Sequence, residues 1–297
     1  FRMHAGGSPF NVAMGLARLG IATAFASKLS TDLFGRFLAD RLQVEGIDTR
    51  FLLSSDAQTT LAFVAKENNE PVYAFYSEGT ADTLITPAEV PPALFEDTGI
   101  LHFGSISLLL GTTPAAVVST VERLKGSALL SFDPNVRAGL VRDEPAYRAL
   151  LDGLFGMTDI VKISAADLDW LMPGLGASEA SARLLAKGPA LVVVTQGGQG
   201  VGARRGDDRW EVPAFPVEVV DTVGAGDAFS AGMLAGFMER GVTSRAAFNR
   251  LSPADLVSVL RLGAAVSALT CTRAGADPPT RVEVSAFLGP DTGILVR

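Results

Sequence analysis

The stretch DTVGAGDAFSAG, residues 221–232, decides how this chain is read. Gly224, Ala225 and Gly226 stand directly before an acid, Asp227, and a largely apolar run follows. Small residues let a backbone turn tightly and come close to a ligand, because little side chain stands in the way. Phe229, Met233 and Phe237 then recur at i, i+4 and i+8, which is one face of a helix. The small residues therefore open a helix, where unpaired N–H groups and the helix dipole favour an anion. Asp227 stands at the mouth of that anion site, and a carboxylate there points to phosphate chemistry.

Bulk properties narrow the setting. The chain has 297 residues, 48% of them hydrophobic and 19% charged, with a formal net charge of −7. That length accommodates one large α/β domain, or a core with a small appendage. The acidic balance argues against a nucleic-acid partner, which needs a basic face. There is no uninterrupted apolar run of about 18 residues, so no membrane partner is expected. A single cysteine, Cys271, excludes an internal disulfide and fits a reducing, cytoplasmic setting. His4 and His102 lack metal-ligand spacing and read as structural, and Trp170 and Trp210 read as packing residues.

Outward from the opening stretch, helix-period and strand-like segments alternate, as in parallel β-α units. Residues 100–103, 129–133, 160–164 and 191–195 read as strands. Helical patterns lie near 114–125, 143–155 and 178–187, and a last one runs over 252–270. NVAMGLARLG, residues 11–20, is a helix ending at Gly20, and residues 21–29 then read as a strand. DLFGRFLADRLQVEG is a further helix, with Asp32 near its start and Gly46 just past its end. One segment breaks the rhythm. Residues 59–76 are two β-rich runs joined by the polar turn 67–71, a hairpin that belongs to a separate small sheet. A flap over a binding site and a dimer contact both suit such a hairpin.

A second glycine-rich stretch, AGGSPFNVAMGLARLG, occupies residues 5–20. Gly6 and Gly7 permit close backbone approach, Pro9 suits a helix entrance, and Asn11 offers an amide to hydroxyl groups. The two glycine-rich stretches, in this order and about 200 residues apart, together resemble the paired signatures of the ribokinase-like (PfkB) carbohydrate kinases. GSISLL, SFDPNVR, DIVKISAADLDWL, VVVTQGGQG and ALTCTRAGADPP extend the resemblance over nearly the whole chain, closest to fructokinase-type members.

The resemblance implies a three-layer α/β/α core with a mostly parallel sheet, over residues 1–56 and 80–297, with the nucleotide site in its C-terminal half. Residues 57–79, with the extreme N-terminus, would form a small β lid. It implies ATP as phosphoryl donor with magnesium, a monovalent cation such as potassium in some members, a small sugar as acceptor, and a homodimer through the lid. Asp227 would take the proton of the attacking hydroxyl, and the N–H groups of Gly224, Ala225 and Gly226 would hold the charge of the transferred phosphoryl. The helix N-terminus should keep Asp227 ionised and its basicity modest. Gly6, Gly7, Asn11 and Arg137 match residues of the sugar pocket. Lys162, Ser164 and Asp167 fall near the ATP phosphates and magnesium, and Thr195, Gly197 and Gly200 match the nucleotide loop. Asp221 matches an acid beside the monovalent cation, and Ala264 a position near adenine.

Several positions depart from the family pattern. Asn and Glu are common where Ser164 and Asp167 stand, and many members have Asn in place of Ala264. Ser77 replaces an arginine that helps acid-sugar kinases grip a carboxylate, which weakens a ketodeoxygluconate reading. The family's first strand carries a sugar-binding aspartate, and we expect that strand to lie outside the given sequence, ahead of Phe1. Fructose is therefore the expected substrate. Ketodeoxygluconate, another ketose or a nucleoside is the alternative within the family, and a non-catalytic sugar or nucleotide sensor is the alternative outside catalysis. A dinucleotide oxidoreductase lacks its fingerprint here.

Overall fold

The computed structural model describes residues 3–67 and 70–289. Helix α1 (Ser8–Arg18) comes first and carries Pro9 in its first turn. Strand β1 (Ser27–Ser30), helix α2 (Leu33–Val44) and strand β2 (Leu52–Ser55) follow, and β1 and β2 pair in parallel as a sheet of their own. Asp32 caps α2 by accepting from the Gly35 N–H at 2.7 Å. Strands β3 (Leu61–Glu67) and β4 (Glu70–Tyr76) form the antiparallel hairpin, which pairs only with itself among the described residues. Asn68 and Asn69 of its turn lie outside the described residues. Residues 3–7 contain no strand.

After the short α3 (Leu94–Asp97) the chain runs through β5 (Ile100–Gly104), α4 (Thr113–Leu124), β6 (Leu129–Asp133) and α5 (Glu144–Phe155). It continues through β7 (Ile160–Ser164), α6 (Ala165–Leu171), α7 (Ala177–Leu185) and β8 (Leu191–Thr195). Strands β9 (Val201–Arg205) and β10 (Asp208–Val212) form a second hairpin. Helices α8 (Ala225–Glu239), α9 (Arg245–Asn249), α10 (Pro253–Cys271) and α11 (Arg281–Leu288) complete the described chain. The central sheet has the order β10-β9-β8-β7-β6-β5, parallel from β5 to β8 and antiparallel at β9 and β10.

The expected strands at 100–103, 129–133, 160–164 and 191–195 are the four parallel ones. Their near-continuous apolar sequence follows from burial on both faces. Successive side chains point to opposite sides of a strand. Leu129, Ile160, Leu191 and Val193 therefore pack with Phe229, Met233 and Leu260 of α8 and α10. Leu130, Phe132, Val161 and Val192 pack on the other face with Val121, Leu151 and Leu184 of α4, α5 and α7. The result is the expected α/β/α sandwich. Helix α10, though interrupted by Asp255 and Arg261, stands out among the described helices by length and composition. It is long and apolar enough to cross a membrane, with mean hydropathy 1.5, yet 56% of that stretch is buried against the rest of the protein. It lies along α8 so closely that a Cβ on Gly232 would meet the Gly263 Cα at 2.8 Å.

The hairpin is tied to its surroundings at the foot of β3. Thr59 donates through its N–H and hydroxyl to the Asp32 carboxylate, at 2.9 and 2.7 Å. Thr60 donates to Asp82 at 2.6 Å.

Candidate functional site

Open α/β sheets bind ligands beyond the carboxyl ends of their parallel strands. A cleft of 2110 Å³ lies there, larger than the roughly 300–1,000 Å³ of a pocket for one small ligand. It also runs between β5 and the β1–β2 pair. Ser105 and Asn135, directly beyond β5 and β6, line it with φ of 61° and 39°. Such backbone in non-glycine residues survives only where the surroundings hold it, often at a ligand site.

Gly224 caps α8 in the left-handed region, φ 78°, and a Cβ there would meet the Ala276 Cβ at 2.6 Å. The chain therefore needs glycine to turn into α8, and that turn buries Asp227 in the first helical turn, 8% exposed. Helix α1 begins against the same carboxylate. The Ser8 hydroxyl donates to Asp227 Oδ1 at 2.6 Å, and the Asn11 amide donates to Oδ2 at 2.8 Å. Burial raises the Asp227 pKa above its ordinary value, against the pull of Ser8, Asn11 and the Lys162 charge. The modest basicity expected from the helix N-terminus alone is thus reversed in direction by burial.

Lys162, on β7, donates to Asp133 Oδ2 at 2.8 Å, and the two side chains are 4% and 2% exposed. A Cβ on Gly226 would come within 2.9 Å of the Lys162 Nζ, so the ammonium rests against the start of α8. The first intrahelical bond of α8 runs from the Ala228 N–H to the Gly224 carbonyl, at 2.8 Å. The Gly226 and Asp227 N–H groups precede it, beside the ammonium. The Ala225 N–H departs from the expected trio of donors, because it is turned to the Thr222 carbonyl at 3.2 Å. Lys162 and the N–H groups of Gly226 and Asp227 thus share the start of α8.

Gly6, Gly7 and Asn11 line the cleft at the start of α1, and Arg137 stands exposed at its rim beyond β6. Ser164 at the end of β7 and Asp167 of α6 line it, as do Thr195 at the end of β8 and Gly197 after it. Asp167 already accepts from the Val136 N–H at 3.1 Å and the Ser164 hydroxyl at 2.7 Å, and burial raises its pKa. Asp221 accepts from the N–H groups of Val223 and Gly275, at 3.1 and 2.8 Å, and so folds the loop before α8 onto the segment after α10.

Two residues sit elsewhere than expected. Gly200 is buried with φ 98°, and a Cβ would collide with the Val212 carbonyl at 2.2 Å, so its role is to let β9 start. Ala264 is 8% exposed in the apolar cluster with Leu260 and Phe229 and does not line the cleft, because α10 turns that face onto the sheet side. His102 lines the cleft, shares a hydrogen bond with Ser131 at 3.0 Å, and burial lowers its pKa to about 4. Sequence reasoning missed Ser8 and Asp133. The signal for Asp133 was an acid ending an otherwise buried strand, LLSFD.

Known proteins of similar shape and sequence narrow the reading. A fructokinase from Rhizobium leguminosarum bv. trifolii is 40% identical over 235 residues, 79% of this chain and 72% of that protein. The crystal structure of a Xylella fastidiosa fructokinase with bound ATP superposes with a TM-score of 0.89, at 34% identity, covering 95% of this chain and 90% of that one. A Vibrio cholerae fructokinase in its fructose, ADP and calcium-bound form superposes at 0.85, with 27% identity, covering 96% and 91%. Residues 1–282 match the pfkB family of carbohydrate kinases. With a buried carboxylate and an ammonium converging on one helix N-terminus in a cleft of this fold, the chain belongs to the pfkB family of carbohydrate kinases.

Proposed function

We propose that this sugar kinase transfers the γ-phosphoryl group of ATP to a hydroxyl of fructose, with Asp227 as general base. The observation that carries the reading is the Asp227 carboxylate, buried at the start of α8 with Lys162 beside it. The identities to fructokinases support fructose over the other ketoses, ketodeoxygluconate and nucleosides.

The acceptor hydroxyl donates to Asp227, whose burial raises its proton affinity. As the sugar oxygen bonds to the γ-phosphorus and the bond to the ADP oxygen breaks, that proton passes to Asp227. The charge on the phosphoryl and on ADP faces Lys162 and the N–H groups of Gly226 and Asp227. Phosphoryl transfer depends chiefly on such positioning and charge stabilisation. Asn11, Gly6, Gly7 and Arg137 are assigned to the sugar, and Ser164, Thr195 and Gly197 to the nucleotide.

Among the described residues, no three His, Cys, Asp or Glu side chains converge as a metal cage. Magnesium would enter as a companion of the nucleotide and supply charge neutralisation to its phosphates, and Asp167 would be the residue to hold it. A monovalent cation such as potassium would sit by the loop that Asp221 folds. The β3–β4 hairpin is assigned as the lid that excludes water, and its exposed Phe63 and Tyr76, rings edge to face at 5.5 Å, offer a contact to a second copy.

The test is ADP release from Mg-ATP across fructose, ribose, ketodeoxygluconate, tagatose and adenosine, beside Asp227→Ala. Turnover with fructose, reduced about 100- to 10,000-fold in the variant, is the expected result. Turnover with another sugar replaces fructose in the reading, and binding without turnover overturns it.

A further inference from the structure

Asp227 receives two helix N-termini, that of its own helix α8 and that of α1, which begins at Ser8. Ser8 is 7% exposed, and its hydroxyl lies 2.6 Å from Asp227 Oδ1 although 219 residues separate them in sequence. Asn11 holds the other carboxylate oxygen at 2.8 Å. Asn11 also lines the cleft, where it is assigned to the sugar. Ser8 lines the cleft as well but is more buried, at the first residue of α1, where its hydroxyl meets Oδ1.

We propose that Ser8 is a positioning residue of the phosphoryl transfer. Its hydroxyl locks the plane of the Asp227 carboxylate, so that the remaining lone pairs meet the acceptor hydroxyl, and it favours the ionised base. The inference rests on the kinase reading above. A carboxylate accepts hydrogen bonds at two lone pairs on each oxygen, so Ser8 fixes Oδ1 without consuming its capacity. A donor aimed at the ionised form also favours that form. Every other charged group facing Asp227 acts on the same equilibrium. Lys162 of β7 favours the carboxylate, Asp133 of β6 opposes it, and burial opposes it most. Alanine at position 8 would leave the fold of α1 intact, since serine makes no side-chain cap there.

The test compares pH profiles of kcat and kcat/KM for the wild type, Ser8→Ala, Ser8→Thr and Ser8→Val, with thermal unfolding as the folding control. Titration of ATP is common to all four proteins and cancels in the comparison. Loss of a hydrogen bond to a charged group moves the acid limb upward by about one to two pH units in Ser8→Ala and Ser8→Val. Near neutral pH kcat falls about tenfold or more, with little change in the KM for sugar. Ser8→Thr, which keeps the hydroxyl, retains the wild-type limb. An active wild type whose Ser8→Ala limb superimposes on its own overturns this inference alone. A limb that moves equally in Ser8→Thr and Ser8→Val does the same, because the shift then follows bulk rather than the hydroxyl. A wild type without sugar-dependent ADP release overturns the kinase reading and this inference with it.

Discussion

Replacing Asp133 by alanine would leave the Lys162 ammonium buried, 4% exposed, without the carboxylate now 2.8 Å away. Breaking a buried ion pair on one side costs about 3–5 kcal/mol, because the remaining charge is uncompensated. For a chain of this length each kcal/mol moves the unfolding midpoint by roughly 2 °C, so Asp133→Ala should melt about 6–10 °C below the wild type. The double variant Asp133→Leu with Lys162→Met removes both charges and keeps apolar volume. Such replacements are commonly near neutral, so its midpoint should return to within about 2–4 °C of the wild type. Asp133 also accepts from the Asn135 N–H at 3.2 Å, and neither variant can form that turn hydrogen bond. Activity should not return with stability. The double variant lacks the ammonium beside Gly226, and one missing charge-stabilising donor costs about 100- to 1,000-fold in kcat. Differential scanning calorimetry and steady-state ADP release, on the same preparations, separate the two roles. A double variant as unstable as Asp133→Ala would refute the ion-pair accounting, and one that keeps wild-type kcat would refute the placement of Lys162 at the transferred group.

Asp227→Asn should be more heat-stable than the wild type at pH 8. Burial raises the folded pKa of Asp227, so the folded chain holds that proton to higher pH than the unfolded chain does. The associated stability is present at low pH and lost as pH rises through the folded pKa, and asparagine removes that loss. The gap should close on acidification, and melting curves showing a pH-independent gap, or a less stable variant at pH 8, would contradict the sign. Shortening residues 61–75 removes Leu61, Ala62, Phe63 and Phe75 from the cleft lining while leaving β5 to β8 in place. ATP hydrolysis without sugar should then rise sharply against sugar phosphorylation, and unchanged coupling counts against the hairpin as a lid.

The parallel strands were legible because burial on both faces leaves short apolar runs that no surface helix needs, and β6, β7 and β8 stand at the boundaries expected. The β9–β10 hairpin was not. Its ARRGDDRW core is rich in charge, since it forms the sheet edge, and only Gly206, at φ 59°, marks the turn. The α8 turn was legible from GAGD alone, as Gly224 has no room for a side chain. Which glycines serve a ligand and which serve the chain was not legible. Gly197 lines the cleft and Gly200, three residues on, packs against the backbone of Val212. Ser8 and Asp133 acquire meaning only through partners 219 and 29 residues away, a pairing that local pattern cannot carry.

The central claim is that one buried carboxylate at the start of α8 takes the proton of a fructose hydroxyl. The most direct measurement is fructose-dependent ADP release from Mg-ATP by the wild type and by Asp227→Asn, with ATP and fructose affinities measured on both proteins. The wild type should turn over, and the variant should lose about 100- to 10,000-fold in kcat with both ligands still bound. An Asp227→Asn protein that turns over at the wild-type rate would contradict the claim.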